Sequence, residues 1–195
     1  MTETLQQALA GFDAANALDP HHEVDEHGQM HPKELLYARR MTDELERFID
    51  APSEHLQLAA RAQHIERWTS ARTDYPEGRT GYKQWRAELG LYHAKRAGEI
   101  MAAVGYSEDD IKRVQYLVQK RQLKRDPETQ ALEDVICLVF LRHYIDEFAA
   151  KHEEDKIIDI IQKTWKKMSE NGHAAALKIP FSEKTAKILK KSLNF

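Results

Sequence analysis

Residues 63–86 concentrate side chains that could bind an anion. They include four arginines and four large aromatic residues, namely Arg67, Trp68, Arg72, Tyr75, Arg79, Tyr82, Trp85 and Arg86. Guanidinium groups bind phosphate oxygens in pairs, and aromatic faces stack on nucleobases. The stretch therefore predicts a site for a phosphate-bearing small molecule such as a nucleotide. The predicted ligand-binding residues are Arg67, Arg72, Tyr75, Arg79, Tyr82, Arg86 and, from a later basic run, Lys120.

Two other interpretations fit the same stretch. RNA ends could stack on the aromatic residues, and a basic run would extend that surface through Lys120, Arg121, Lys124 and Arg125. Alternatively, the aromatic residues hold an ordered loop in place, and the arginines stack on them and pair with nearby acids. Those acids are Glu66, Asp74, Glu77 and Glu88. All three interpretations stay open at the level of the sequence.

Histidines and buried acids indicate a second kind of site. His31 lies at the start of the second predicted helix, His64 at the end of the third and His93 in the fourth. Asp134 falls on the sixth, strongly apolar helix. Imidazoles and a carboxylate gathered from several helices can bind a divalent metal ion. Each histidine could equally be structural, and Asp134 could belong to an ion pair. The candidate general bases beside such a metal are Glu66 and Glu133.

The segments that carry these residues read as one helix after another. Apolar residues at helical spacing predict helices over about residues 2–17, 32–49, 54–68, 82–104, 108–122, 127–150, 155–168 and 182–192. Residues 20–31 read as a polar loop. A second, ordered loop surrounds Pro76, Gly78 and Gly81, which would break a continuous helix. We expect an all-α protein, a single-domain bundle of about seven to eight helices over residues 1–195.

Composition narrows the classes of partner. The longest apolar run, residues 135–141, is far shorter than the roughly 20 residues of a membrane-spanning helix. The first residues lack the features of a signal peptide, so we expect a cytoplasmic protein with no membrane partner. A net charge of −3 argues against a protein that coats DNA. Residues 63–125 nevertheless hold 13 Lys and Arg residues against 8 Asp and Glu residues, which favours a local anion site.

Several motifs together resemble one known family. The segments DAANALDP, PKELLYARRMT, AARAQHIERW, YPEGRTGYKQWR, QALEDVICLVFL and TWKKMS are similar to the domain of unknown function 4202 family of bacteria and fungi. The resemblance covers nearly the whole chain. It implies no mechanism, because none is established for that family.

A more distant resemblance is to the HD-domain phosphohydrolases, which are helical and bind divalent metal. His31, His64 and Asp134 match their metal ligands by placement, and His93 resembles the extra histidine of two-metal members; Ile65 stands where the aspartate of the His-Asp pair would be. This resemblance implies an HD-like fold, a manganese, iron, zinc or magnesium ion, and metal-dependent hydrolysis of a phosphate-bearing molecule. The alternatives are a non-catalytic protein that binds a nucleotide or RNA, and a di-iron oxygenase built on the same bundle.

Overall fold

The computed structural model describes residues 2–193 and confirms that the protein is all-α. The helices are α1 (Glu3–Asn16), α2 (Lys33–Phe48), α3 (Glu54–Arg61), α4 (Gly78–Ala103), α5 (Glu108–Val118), α6 (Pro127–His143), α7 (Ile145–Lys151), α8 (Glu154–Lys167), α9 (Glu170–Ala176) and α10 (Glu183–Leu193). The chain forms two compact units, one that ends at Arg121 and one that begins at Gln122. That these make a single domain stays a prediction. Within residues 2–193, no helix is long and apolar enough to cross a membrane.

The first unit contains α1 to α5. Helices α1, α2 and α3 pack against one another, and α5 packs along both α3 and α4. Fully buried side chains such as Phe12, Met41 and Leu58 form the core. The close approach of α4 and α5 depends on Gly98, because a Cβ there would lie 2.5 Å from Gln115 Nε2. This packing brings the C-terminal end of α5 beside the middle of α4.

The segment before α2 differs from the prediction of a loop. Two short strands, β1 (His22–Val24) and β2 (Met30–Pro32), form an antiparallel hairpin there. Asp25 holds the turn, because its carboxylate accepts hydrogen bonds from the backbone N–H groups of His27 and Gln29. Strands of three residues are too short to show an alternating pattern in the sequence.

The predicted ordered loop between the third and fourth helices is present, but its borders differ. Helix α3 ends at Arg61 instead of continuing to residue 68, and two short 3₁₀ helices, Arg67–Thr69 and Arg72–Asp74, follow. Helix α4 begins at Gly78 and therefore includes Gly81. A Cβ at Gly81 would lie 1.9 Å from the carbonyl oxygen of Pro76, so this glycine lets the loop close onto the first turn of α4.

The second unit contains α6 to α10. Helix α6 contacts α7, α8 and α9. The helix predicted over 127–150 is interrupted, because Tyr144 leaves the helical conformation (φ −125°, ψ −18°) and separates α6 from α7. Helix α9, which the sequence did not predict, is tied to α6 through Asp134. The Asp134 carboxylate accepts hydrogen bonds from the backbone N–H (2.8 Å) and the hydroxyl (2.6 Å) of Ser169, the N-cap residue of α9.

Candidate functional site

A cavity of about 320 Å³ opens in the first unit. Its walls come from α4, from the turn after α3 and from the C-terminal end of α5. The residues that line it are Gln63, His64, Arg86, Ala87, Leu89, Gly90, Leu91, His93, Val118, Gln119 and Lys120. This volume is at the small end of the range for pockets that hold small molecules.

Helix α4 contributes six of the eleven residues that line the cavity. Arg86, Gly90 and His93 are spaced by four and three residues, so they lie on the same side of the helix. Apart from its chain neighbours and the nearby backbone of α4, a Cβ added at Gly90 would meet no atom of the described residues within 4 Å. The missing side chain at Gly90 therefore contributes open space between Arg86 and His93.

Two arginines at the site make no ion pair with a carboxylate of the described residues. Arg86 is half-buried, and within residues 2–193 its guanidinium makes no ion pair and no hydrogen bond. Arg67 places Nη1 3.2 Å from the ring nitrogens of His64 and lies 5.1 Å from the centroid of the Trp85 ring. Among the described residues it too has no carboxylate within ion-pair distance, and burial lowers its pKa. A partly buried guanidinium that makes no ion pair favours the binding of an anion.

His93 is held in one orientation and is uncharged. Its Nδ1 lies 2.7 Å from the carbonyl oxygen of Ile65, and because a carbonyl only accepts, Nδ1 carries the proton. The lone pair is then on Nε2, which has no hydrogen-bond partner in the part of the chain that the structure describes. Burial, together with the charges of Arg67 and Arg86, lowers the pKa of His93 to about 4. The imidazole is therefore neutral at pH 7.

His64 lines the cavity and is part of a cluster with Tyr37, His93 and Glu34. Its ring stacks on Tyr37 with centroids 4.2 Å apart, and its centroid lies 6.0 Å from that of His93. Burial and the charge of Arg67 lower the pKa of His64 well below its usual value. The Oε2 atom of Glu34 lies 3.5 Å from Nδ1 of His64. Burial raises the pKa of Glu34 to about 7, against the opposing effect of Arg67, so this carboxyl group can hold or release a proton near neutral pH.

Lys120 lies where a helix usually ends in glycine. The backbone N–H of Lys120 donates to the carbonyl oxygen of Leu117, and that of Arg121 donates to Tyr116, which is the Schellman pattern after the last turn of α5. Lys120 accordingly has a left-handed backbone (φ 56°), which costs a residue other than glycine about 1 kcal/mol. A lysine at this strained position at the edge of a cavity suggests a functional role for its side chain.

The predicted ligand-binding residues fall into two groups. Arg86 and Lys120 line the cavity, and Arg67 contacts His64. The others lie outside its lining: Arg72 donates to the carbonyl oxygens of Tyr75 (3.0 Å) and Pro76 (3.0 Å), the Tyr75 hydroxyl donates to Glu88 (2.6 Å), and Arg79 and Tyr82 are exposed on the first turns of α4. Arg72 and Tyr75 thus hold the loop, as the structural interpretation predicts. The ion pairs predicted with Glu66, Asp74, Glu77 and Glu88 are absent for all four arginines within residues 2–193.

The predicted metal ligands have other partners. On β2, Nε2 of His31 lies 2.9 Å from Oδ2 of Asp25, whose pKa is lowered to about 2 by the backbone N–H of Gln29 and by His31. Asp134 lies in the second unit and accepts the hydrogen bonds of Ser169 described above. No group of three or more His, Cys, Asp or Glu side chains within residues 2–193 is arranged to hold a metal ion. The divalent metal ion stays a prediction.

The two predicted general bases are also engaged elsewhere. Glu66 pairs with Arg96 (3.0 Å) and accepts a hydrogen bond from the Tyr92 hydroxyl (2.6 Å). Glu133 lies on α6 in the second unit, with Lys167 Nζ 3.5 Å away. Neither residue lines the cavity of the first unit.

Several residues of the site were not predicted from the sequence. Glu34, Gln63, Gly90 and Gln119 were not selected as candidates. The spacing of Arg86, Gly90 and His93 on one helix was a usable signal, because it puts a cation, an absent side chain and an imidazole on one face. The burial of Glu34 had no such signal, because it depends on how α2 packs.

Comparison with known proteins identifies the family. Residues 6–189 match the family described as "Domain of unknown function (DUF4202)", and the chain belongs to this family. This confirms the assignment made from its motifs. Neither the curated proteins nor the solved structures gave a match. The similarity to HD-domain phosphohydrolases stays a prediction.

Proposed function

We propose that the first unit binds a small phosphate-bearing molecule in the cavity lined by Arg86, His93 and Lys120. The proposal depends on one observation. Arg86 lines the cavity, is half-buried, and makes no ion pair with an acid among the described residues. A bidentate contact between a guanidinium and a phosphoryl group satisfies both charge and hydrogen bonding. Lys120, which also lines the cavity, adds a second positive charge.

The neutral histidines complete this binding site. With no charge of its own, His93 offers Nε2 as an acceptor for a hydroxyl or amino group of the ligand, or for a protonated phosphate oxygen. Gln63 lies in the same lining and is almost fully buried, and its Oε1 has no hydrogen-bond partner within residues 2–193. A ligand that combines an anionic group with a hydrogen-bond donor would satisfy the Nε2 acceptor of His93.

The size of the cavity limits the ligand. About 320 Å³ accommodates a phosphate group and a small organic part, so sugar phosphates and mononucleotides belong to the class we propose. RNA binding, metal-dependent hydrolysis and di-iron oxygenase activity stay predictions.

Calorimetric titration with inorganic phosphate, glycerol 3-phosphate and adenosine monophosphate tests the proposal. We expect at least one ester to bind the wild-type chain, and Arg86→Gln to weaken that binding about 10- to 100-fold, the range for losing a hydrogen bond to a charged group. Lys83→Gln is the matched control, because it removes a positive charge from an exposed position of α4 outside the cavity lining. Equal affinities of wild type and Arg86→Gln, or no binding of any of the three compounds, would contradict the proposal.

A further inference from the structure

We propose that the cavity is also catalytic, and that Nε2 of His93 accepts the phosphoryl group of the bound molecule to form a phosphohistidine. This inference rests on the proposed function, because the phosphoryl group must first bind beside Arg86. It adds a reaction, a nucleophile and a class of substrate, namely phosphate monoesters and acyl phosphates.

The orientation of His93 suits a nucleophile. A histidine nucleophile needs its lone pair on one nitrogen and a fixed hydrogen bond on the other. The Ile65 carbonyl oxygen provides that bond at 2.7 Å from Nδ1, and Nε2 keeps the lone pair with no partner in the described chain. The backbone carbonyl thereby holds the ring for attack in the absence of a ligand.

Arg86 places a positive charge on the same face of α4 as the His93 ring. Arg86 and His93 both line the cavity, and no acid holds the His93 ring, because its Nδ1 proton is donated to a backbone carbonyl. Arg86 lies two turns earlier on the same face of α4, with the space beside Gly90 between them. A phosphoryl group bound by Arg86 in that space is next to His93, and the guanidinium neutralises charge that develops on its oxygens.

Glu34 and His64 supply the proton that the leaving group needs and take one back at the end of the reaction. As the Nε2 lone pair forms the N–P bond, the P–O bond to the leaving group breaks and its electron pair stays on the leaving oxygen. That oxygen takes a proton from one ring nitrogen of His64, while Glu34 replaces it on Nδ1, 3.5 Å from Oε2. Water then attacks phosphorus, the N–P bond breaks, the pair returns to Nε2, and the released proton returns through His64 to Glu34. The sum is hydrolysis of a phosphate ester to an alcohol and inorganic phosphate.

Labelling with acetyl [³²P]phosphate tests the first step. The full chain is incubated with this compound and quenched in alkali, in which phosphohistidine survives, and the labelled peptide is located by mass spectrometry. We expect the label on His93, and at least a tenfold loss of label in His93→Gln and in Arg86→Gln. His22→Gln is the matched control, because His22 is exposed on β1, and this variant should label like the wild type.

The outcomes separate this inference from the proposed function. If inorganic phosphate or an ester binds but no label appears, or if the label lies on a residue other than His93, the inference is overturned and the binding site stands. If none of the phosphate compounds binds, both fail. Arg86→Gln keeps His93 and so tests the loss of label in a second variant. If His93→Gln does not fold, the position of the label on the wild-type chain still tests the inference.

The role of Glu34 has its own readout. Acetate leaves without a proton, whereas the alkoxide of glycerol 3-phosphate needs one. Glu34→Gln should therefore label within about twofold of wild type from acetyl phosphate, yet release inorganic phosphate from glycerol 3-phosphate at least tenfold more slowly. An equal loss with both substrates would overturn the proton-donor role.

Discussion

Replacing Glu34 with glutamine should remove a pH-dependent loss of stability from the protein. Glu34 is only 7% exposed, and burial raises its pKa from the ordinary 4.5 to about 7. The folded state therefore binds a proton that the unfolded state releases between these two values. For a group whose pKa is raised by folding, the stabilisation is complete below pH 4.5 and is lost as the pH rises through about 7.

The size of this effect follows from the same two values. A pKa of about 7 in the folded state against 4.5 in the unfolded state corresponds to about 3 kcal/mol, of which about 2 kcal/mol falls between roughly pH 5 and pH 8. His64 and His93 act in the opposite direction, because their lowered pKa values make the fold less stable as the pH falls below the ordinary histidine value of 6.5. Glutamine has the shape of a protonated glutamic acid, so Glu34→Gln removes only the carboxyl contribution.

Urea unfolding at four pH values between roughly pH 5 and pH 8 measures this pH dependence of the free energy of unfolding. We expect Glu34→Gln to gain about 2 kcal/mol in free energy of unfolding relative to wild type across this range. The histidine contributions are common to both proteins and cancel in the difference. Glu46→Gln, at an exposed position of the same helix, should run parallel to wild type. A constant difference between Glu34→Gln and wild type at every pH would show that folding does not raise the pKa of Glu34.

Four further substitutions test the packing within each unit. Gly90→Ala should stabilise the protein by about 0.5–1 kcal/mol, because alanine favours a helix and the space beside Gly90 is open. Gly98→Ala in the same helix should destabilise it, because its Cβ would lie 2.5 Å from Gln115. Thermal melts of the two variants compare these effects. Lys120→Gly should raise the free energy of unfolding by about 1 kcal/mol and at the same time weaken phosphate binding, as urea unfolding and calorimetry would show. Asp134→Ala should cost about 2–4 kcal/mol in urea unfolding, because it removes the acceptor for two hydrogen bonds of Ser169, and a change under about 0.5 kcal/mol would contradict this.

The helices and part of the site could be predicted from the sequence because they depend on residue type and spacing. Arg86, Lys120, His64 and His93 are side chains whose chemistry is visible before their surroundings are known. Helical periodicity likewise predicted most of the long elements. The interruption at Tyr144 was not visible, because the residues around it continue the same apolar pattern.

The remaining parts of the site depend on tertiary contacts. Glu34 lies in a sequence rich in charged residues, and only packing buries it beside His64. Gly90 contributes by having no side chain, which matters only when its neighbours in space are known. Arg72 and Arg86 look alike in the sequence, yet one holds the loop through backbone carbonyls and the other lines the cavity.

The central claim is that a phosphate-bearing molecule binds beside Arg86. Amide NMR spectra of the full chain, recorded during titration with glycerol 3-phosphate and with adenosine monophosphate, test it most directly. We expect saturable shifts of the Gly90, His93 and Lys120 amides with at least one of the two compounds, and their loss in Arg86→Gln. Saturable shifts confined to residues away from the cavity, or shifts around Gly90 that persist unchanged in Arg86→Gln, would contradict it.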